Sequence, residues 1–114
     1  MQRTTILTAK MRDEFAFLIR DGKKHYEIRT ESLEGAQVIR YISAIDGREL
    51  GMYRIGKASR RERDDDDALI RLAAISPDDF HDLFPRPEEG GPSILWVAEI
   101  LEPITVEQLM EEKR

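Results

Sequence analysis

The octet Gly22-Lys23-Lys24-His25-Tyr26-Glu27-Ile28-Arg29 constrains the fold more than any other stretch of the chain. It stands where the hydrophobic period changes. Upstream, Met11, Phe15, Leu18 and Ile19 recur at helical spacing over residues 11 to 20. Downstream, residues 23–30 alternate: Tyr26 and Ile28 face one way, and His25, Glu27 and Arg29 the other. Gly22 sits at the junction as a C′ glycine, free to take the left-handed conformation that ends a helix. A helix must therefore turn into a strand here. The turn brings Lys24, Glu27 and Arg29 close together, in the pattern G-x-K-x-x-E-x-R. Such a charged cluster can grip a polar, partly anionic ligand.

The remaining elements follow from the same signals. Thr4 to Thr8 is short and β-branched, a first strand. Val38 to Ala44 and Met52 to Ser59 are two further strands, with Asp46-Gly47 as a turn between them. Four aspartates, Asp64 to Asp67, open a helix carrying Leu69, Leu72 and Ala73, where the macrodipole favours anions. Ser76 caps a second short helix with Pro77 at its first position. Ile94 to Ala98 is apolar on both faces, which predicts a central buried strand. Thr105 and Gln108 form a T-x-x-Q capping box for a last helix. Five short strands with little room for parallel crossovers predict a mostly antiparallel sheet curled into a small barrel, flanked by short helices, an α+β fold.

At 114 residues the chain is expected to be a single domain, residues 1–114. It has no cysteine, so no disulfide or thiolate metal site is open to it. The N-terminus has no long apolar run. We therefore expect no signal peptide, no membrane span and a cytoplasmic location. Net charge is -5 but uneven. Residues 1–63 hold 14 Lys+Arg against 9 Asp+Glu, or +5, and residues 64–114 hold 4 against 14, or -10. The whole would repel a polyanion, so strong non-specific DNA binding is disfavoured, while a local basic surface on the first half stays open.

Each candidate site residue has a plainer alternative. Gly22 is a helix cap that also positions the motif. Lys24 shares parity with Tyr26 and Ile28, yet a lysine is not buried without a partner. Either the strand begins after it or a bulge turns it outward, and both put it at the mouth of the barrel. Glu27 and Arg29 are either a surface pair or a ligand grip, since the arginine fork suits phosphate and base edges. Arg40 and Arg54 interrupt apolar strand faces, so they either snorkel or line the same opening as Lys24. Tyr41, Tyr53 and Trp96 either stack a base or pack in the core. Arg60, Arg61 and Arg63 either steer a phosphate backbone or, as we favour, pair with Asp64 to Asp67. That aspartate run is not a metal site, because oxygens on consecutive residues diverge. His25 and His81 have no metal-ligand spacing. No metal and no cofactor is expected.

The octet, its place after the first helix and the chain length resemble the ASCH domain family, from about Ile6 to about Pro103. That family is related to PUA domains and has a PUA-like β-barrel. The segments Ile75 to Phe80 and Ser93 to Ile100 are similar to the later half of one bacterial ASCH branch. The resemblance implies binding of RNA, a nucleotide or a modified base in a cleft at the motif. Lys24, Glu27 and Arg29 would be the functional residues, held by the turn at Gly22. Gly22, Lys24, Glu27, Arg29, Arg40, Tyr41 and Arg54 are thus the ligand-binding candidates. Some ASCH members are enzymes, one type deacetylating N4-acetylcytidine and related amides, another described as a ribonuclease. In the amidohydrolase type a threonine nucleophile occupies the position of Glu27. Glutamate cannot act as that alkoxide, so a metal-independent hydrolase here would use Glu27 as general base and Lys24 to stabilise negative charge. A third reading is a regulatory module whose acidic second half docks a basic protein partner. Oligomeric state is not legible.

Overall fold

The computed structural model describes residues 4–64 and 66–112. Asp65 of the aspartate run and the Met1-Gln2-Arg3 lead lie outside the described residues. The order is β1 (Ile6–Met11), α1 (Asp13–Arg20), β2 (Tyr26–Arg29), β3 (Val38–Ser43), β4 (Glu49–Ile55) and β5 (Ser59–Glu62). Then come α2 (Asp66–Ala73), α3 (Pro77–Leu83), a 3-10 turn at Pro87–Glu89, β6 (Ile94–Pro103) and α4 (Val106–Glu112). The strands form one curled sheet in the order β1-β3-β4-β6-β2, with β5 also paired to β6. The expected α+β fold with a curled, mostly antiparallel sheet is the observed architecture, the curl being that of a half-barrel.

Two details differ from expectation. β1 pairs parallel with β3, Ile6 opposite Val38 through Met11 opposite Ser43. This pairing carries β1 on to Met11, past the β-branched residues that marked it. The second difference is a sixth strand. The basic run at Ser59–Glu62 pairs with β6, Arg60 opposite Trp96 and Arg61 opposite Leu95. All four of its residues are exposed. No hydrophobic alternation marks it; the free edge of a ten-residue β6 supplies its hydrogen bonds.

β6 is the central strand predicted for Ile94 to Ala98. Leu95 and Val97 face one side, and Ala98 and Ile100 the other, all buried. On the first side Ile28, Leu69, Ala73, Phe80 and Phe84 complete a cluster under α2 and α3. On the second, Ala9, Phe15, Ile19, Leu33, Ile39 and Tyr41 form the main core with α1. A third cluster, Val38, Met52, Ile104 and Leu109, seats α4 on the outer face of β3 and β4.

The caps form as read. Gly22 has φ 74° and its N–H reaches the Ile19 carbonyl, while the Lys23 N–H returns to Leu18. The Ser76 hydroxyl accepts from the Asp79 N–H at 3.1 Å. Thr105 and Gln108 exchange both bonds of the capping box, at 3.1 and 2.9 Å. Among the described residues no helix is long and apolar enough to cross a membrane.

Candidate functional site

The turn at Gly22 delivers Lys24 into the interior, not to the barrel mouth. β2 starts at Tyr26, so Lys24 precedes the strand and escapes its alternation. It is only 6% exposed. Its Nζ donates to the Ala73 carbonyl at the C-terminus of α2. That carbonyl is one of the orphans every helix end leaves, and the negative end of the dipole favours a cation there. Ala74, next in the chain, has φ 57°, a left-handed conformation disfavoured for a residue with a Cβ. The corner that aims the carbonyl at Lys24 is therefore strained.

Glu27 is 2% exposed, which rules out the surface-pair alternative. Alternation along β2 is real, but both faces of the strand are covered. Ile28 packs under α2 while Glu27 enters the barrel. One oxygen of Glu27 accepts from Arg29 Nε at 2.5 Å, the other from the Tyr41 hydroxyl at 2.6 Å. Arg29 Nη2 also donates to the Lys10 carbonyl at 2.7 Å. Two of the five arginine N–H groups are thus used, and the others have no partner among the described residues.

Lys24, Glu27 and Arg29 line a cleft of about 350 Å3 between β2 and the α2–α3 pair. Its apolar walls include Met11, Phe15, Ile75 and Phe84. Lys10 and Arg12 add positive charge, and Glu31 negative charge, to the lining. Arg12 is tied to α3 through Asp82 at 2.6 Å and Asp79 at 3.5 Å. Lys10 has no ion pair among the described residues.

The other sequence candidates lie elsewhere. Arg40 and Arg54 do not line the cleft with Lys24. They share the face of Val38 and Met52, beneath α4, because their strand parity is opposite to that of Tyr41. Arg40 pairs with Glu49 at 2.7 Å, and Arg54 with Glu102 at 3.1 Å and with Glu112. Tyr41 is 1% exposed and stands behind Glu27, where it cannot stack a base. Gly22 lies off the cleft, in an open hollow with His25 and Tyr53. Of the basic run, Arg63 pairs with Asp66 as expected, whereas Arg60 and Arg61 are exposed and unpaired among the described residues. Asp66 is further engaged by His81 and Arg86, so its charge belongs to a surface network. Arg12, Phe15 and Phe84 went unrecognised as cleft residues. Arg12 meets its partners across some seventy positions, for which no local signal exists.

Burial pushes the Lys24 ammonium below its usual 10.5; Glu27 opposes the shift and Arg29 adds to it. Between the lowered value and 10.5 the unfolded chain binds more protons, so stability rises with pH through that window. Tyr41 acts in reverse. Burial, and next the Glu27 charge, hold its phenol well above 10, so above that pH the unfolded chain ionises first and stability falls. Measured up to about pH 10, the urea midpoint of wild type should rise relative to that of Lys24→Met as pH rises. A constant difference would mean that Lys24 is solvated.

The curled mixed sheet with its flanking helices is the fold of ASCH crystal structures. Three crystal structures share it. ASCH from Zymomonas mobilis superposes with a TM-score of 0.65 at 20% identity, covering 94% of this chain and 78% of that one. A serine-to-alanine variant of the same protein gives 0.65 at 20% identity over 97% and 81%. A tyrosine-to-phenylalanine variant gives 0.62 at 20% identity over 94% and 80%. The likeness is one of fold. No family model matches the sequence, and no curated protein does.

Proposed function

We propose that the protein binds RNA, with one nucleotide or modified base held in the cleft at Lys24, Glu27 and Arg29. The observation that carries this reading is the floor of the cleft. A buried ammonium and a half-engaged guanidinium, locked by a buried carboxylate, face an apolar-walled space of about 350 Å3. Sites for small ligands have this make-up, apolar walls with a few fixed polar groups. The free N–H groups of Arg29 and Lys24 suit phosphate or base acceptors. Phe15 and Phe84 contribute to the apolar wall of the cleft. The nucleic-acid association of ASCH and PUA-like domains points the same way.

Hydrolysis is the second reading, favoured by the depressed Lys24, since perturbed groups in clefts mark chemistry. Glu27 ranks it second. Both its oxygens already accept strong hydrogen bonds, so it is better placed to orient Arg29 than to take a proton from water.

End-labelled single-stranded RNA, incubated with wild type or Lys24→Met in EDTA, separates the two. We expect a gel shift of intact RNA that Lys24→Met weakens about 10–100-fold, the loss of one charged hydrogen bond. Shortened products from wild type alone would favour the hydrolase. Neither shift nor cleavage would set aside RNA binding and ribonuclease activity alike.

A further inference from the structure

We infer that the ligand is a strand rather than a lone nucleotide, and that the nucleotide next to the cleft sits in a second groove beside Trp96. This rests on the reading just proposed and extends it. The link is strand register. Arg29 on β2 lies directly opposite Trp96 on β6, and Trp96 lies opposite Arg60 on β5. Directly opposed residues point to the same face. Arg29, Trp96 and Arg60 therefore form a cation–aromatic–cation row across two strand spacings, about 10 Å. Arg29 ends this row in the cleft. Arg60 and Trp96 end it in a separate open groove of about 730 Å3, which Lys57 also lines.

The groove has the parts that single-stranded binding requires. Trp96 is half-buried: it packs against the main core yet lines the groove. The Arg60 guanidinium carbon lies 5.8 Å from its ring centroid. A base stacked on such an aromatic contributes about 1–3 kcal/mol whatever its identity. The charge pattern argues for a polyanion. Arg12, Arg40, Arg48, Arg54, Arg63 and Arg86 all hold acidic partners. Lys57 and Arg60, which line the groove, hold none among the described residues, although the chain carries a net charge of -5. One carboxylate, Glu34, also lines the groove. Unpaired cations gathered beside an aromatic match a phosphate backbone with its base.

Trp96 is the single tryptophan, so its fluorescence reports the groove directly. The probes are a random-sequence RNA octamer and a mixture of the four ribonucleoside monophosphates. Octamer affinity is read by anisotropy, and mononucleotide binding by amide shifts at Lys24 and Arg29. The octamer should quench Trp96 and the mononucleotides should not. Lys57→Ala/Arg60→Ala, two exposed positions, should weaken the octamer roughly tenfold and lower its log–log salt slope by about 1.4, two contacts at 0.7 each. The same variant should leave the mononucleotide shifts unchanged. An Arg20→Ala/Arg71→Ala control, equal in charge but away from the groove, should stay within about twofold. If the octamer binds the Lys57/Arg60 variant as tightly as wild type, or weakens equally in the control, the groove is overturned while the cleft stands. If neither probe binds wild type, the cleft reading falls and the groove with it.

Discussion

Glu27→Ala should destabilise the protein by about 3–5 kcal/mol, the range for removing one partner of a buried charged network. Three groups lose by it. The Tyr41 hydroxyl, fully buried, is left without its acceptor. Arg29 loses the bond that aims its fork. Lys24 loses the opposing charge that partly offsets its burial, so its ammonium falls further below 10.5. Glu27→Gln separates charge from shape, since an amide can still accept from Tyr41 but carries no charge. The expected order in urea at pH 7 is wild type, then Glu27→Gln, then Glu27→Ala. Equal stability of all three would mean that the carboxylate is solvated and the network does not exist. On the proposed reading, any folded Glu27→Gln protein should also bind RNA more weakly, because Arg29 loses the carboxylate that aims its fork.

Arg63→Ala should have an effect of similar size, about 3–5 kcal/mol, for a different reason. The Arg63 side chain is fully buried. Its Nη2 and Nε donate to the Phe84 carbonyl at 2.8 and 3.2 Å. Its Nη1 pairs with Asp66 at the start of α2, and its guanidinium lies 4.7 Å from the Phe80 ring centroid. One side chain thus clamps the end of α3 to the beginning of α2. That pair of helices carries Ala73, Ile75 and Phe84, which wall the cleft. Ligand affinity should therefore fall in a variant that never touches ligand. Arg63→Met keeps most of the volume but none of the hydrogen bonds, and should recover part of the loss. Thermal unfolding of the three proteins checks the order. An alanine variant within about 1 kcal/mol of wild type would mean that α2 and α3 are held by their apolar contacts alone.

The parts of this fold readable in advance were those governed by neighbours in the chain. Gly22 ends α1 because left-handed backbone is open to glycine. Ser76 and Thr105 cap because their hydroxyls reach N–H groups three residues on. β6 is central because its side chains are apolar on both faces. The parts that misled were those where a partner arrives from far away. Ser59–Glu62 is polar throughout, yet it is a strand, because β6 had unpaired ladder positions to offer. Arg40 and Arg54 look like cleft cations along the chain, but parity and the arrival of α4 put them on the opposite face.

The site divides along the same line. Local sequence places a lysine, a glutamate and an arginine at one turn, since a capping glycine and strand alternation act over a few residues. It carries no information on depth, because burial depends on which elements close over the turn. α2 comes down on Lys24 and presents the Ala73 carbonyl, and β3 slides Tyr41 behind Glu27. Those two long-range contacts turn three ordinary charged residues into a buried, hydrogen-bonded cluster. Only the tertiary structure decides this, because the desolvation that makes the cluster rigid comes from residues that the chain brings there from elsewhere.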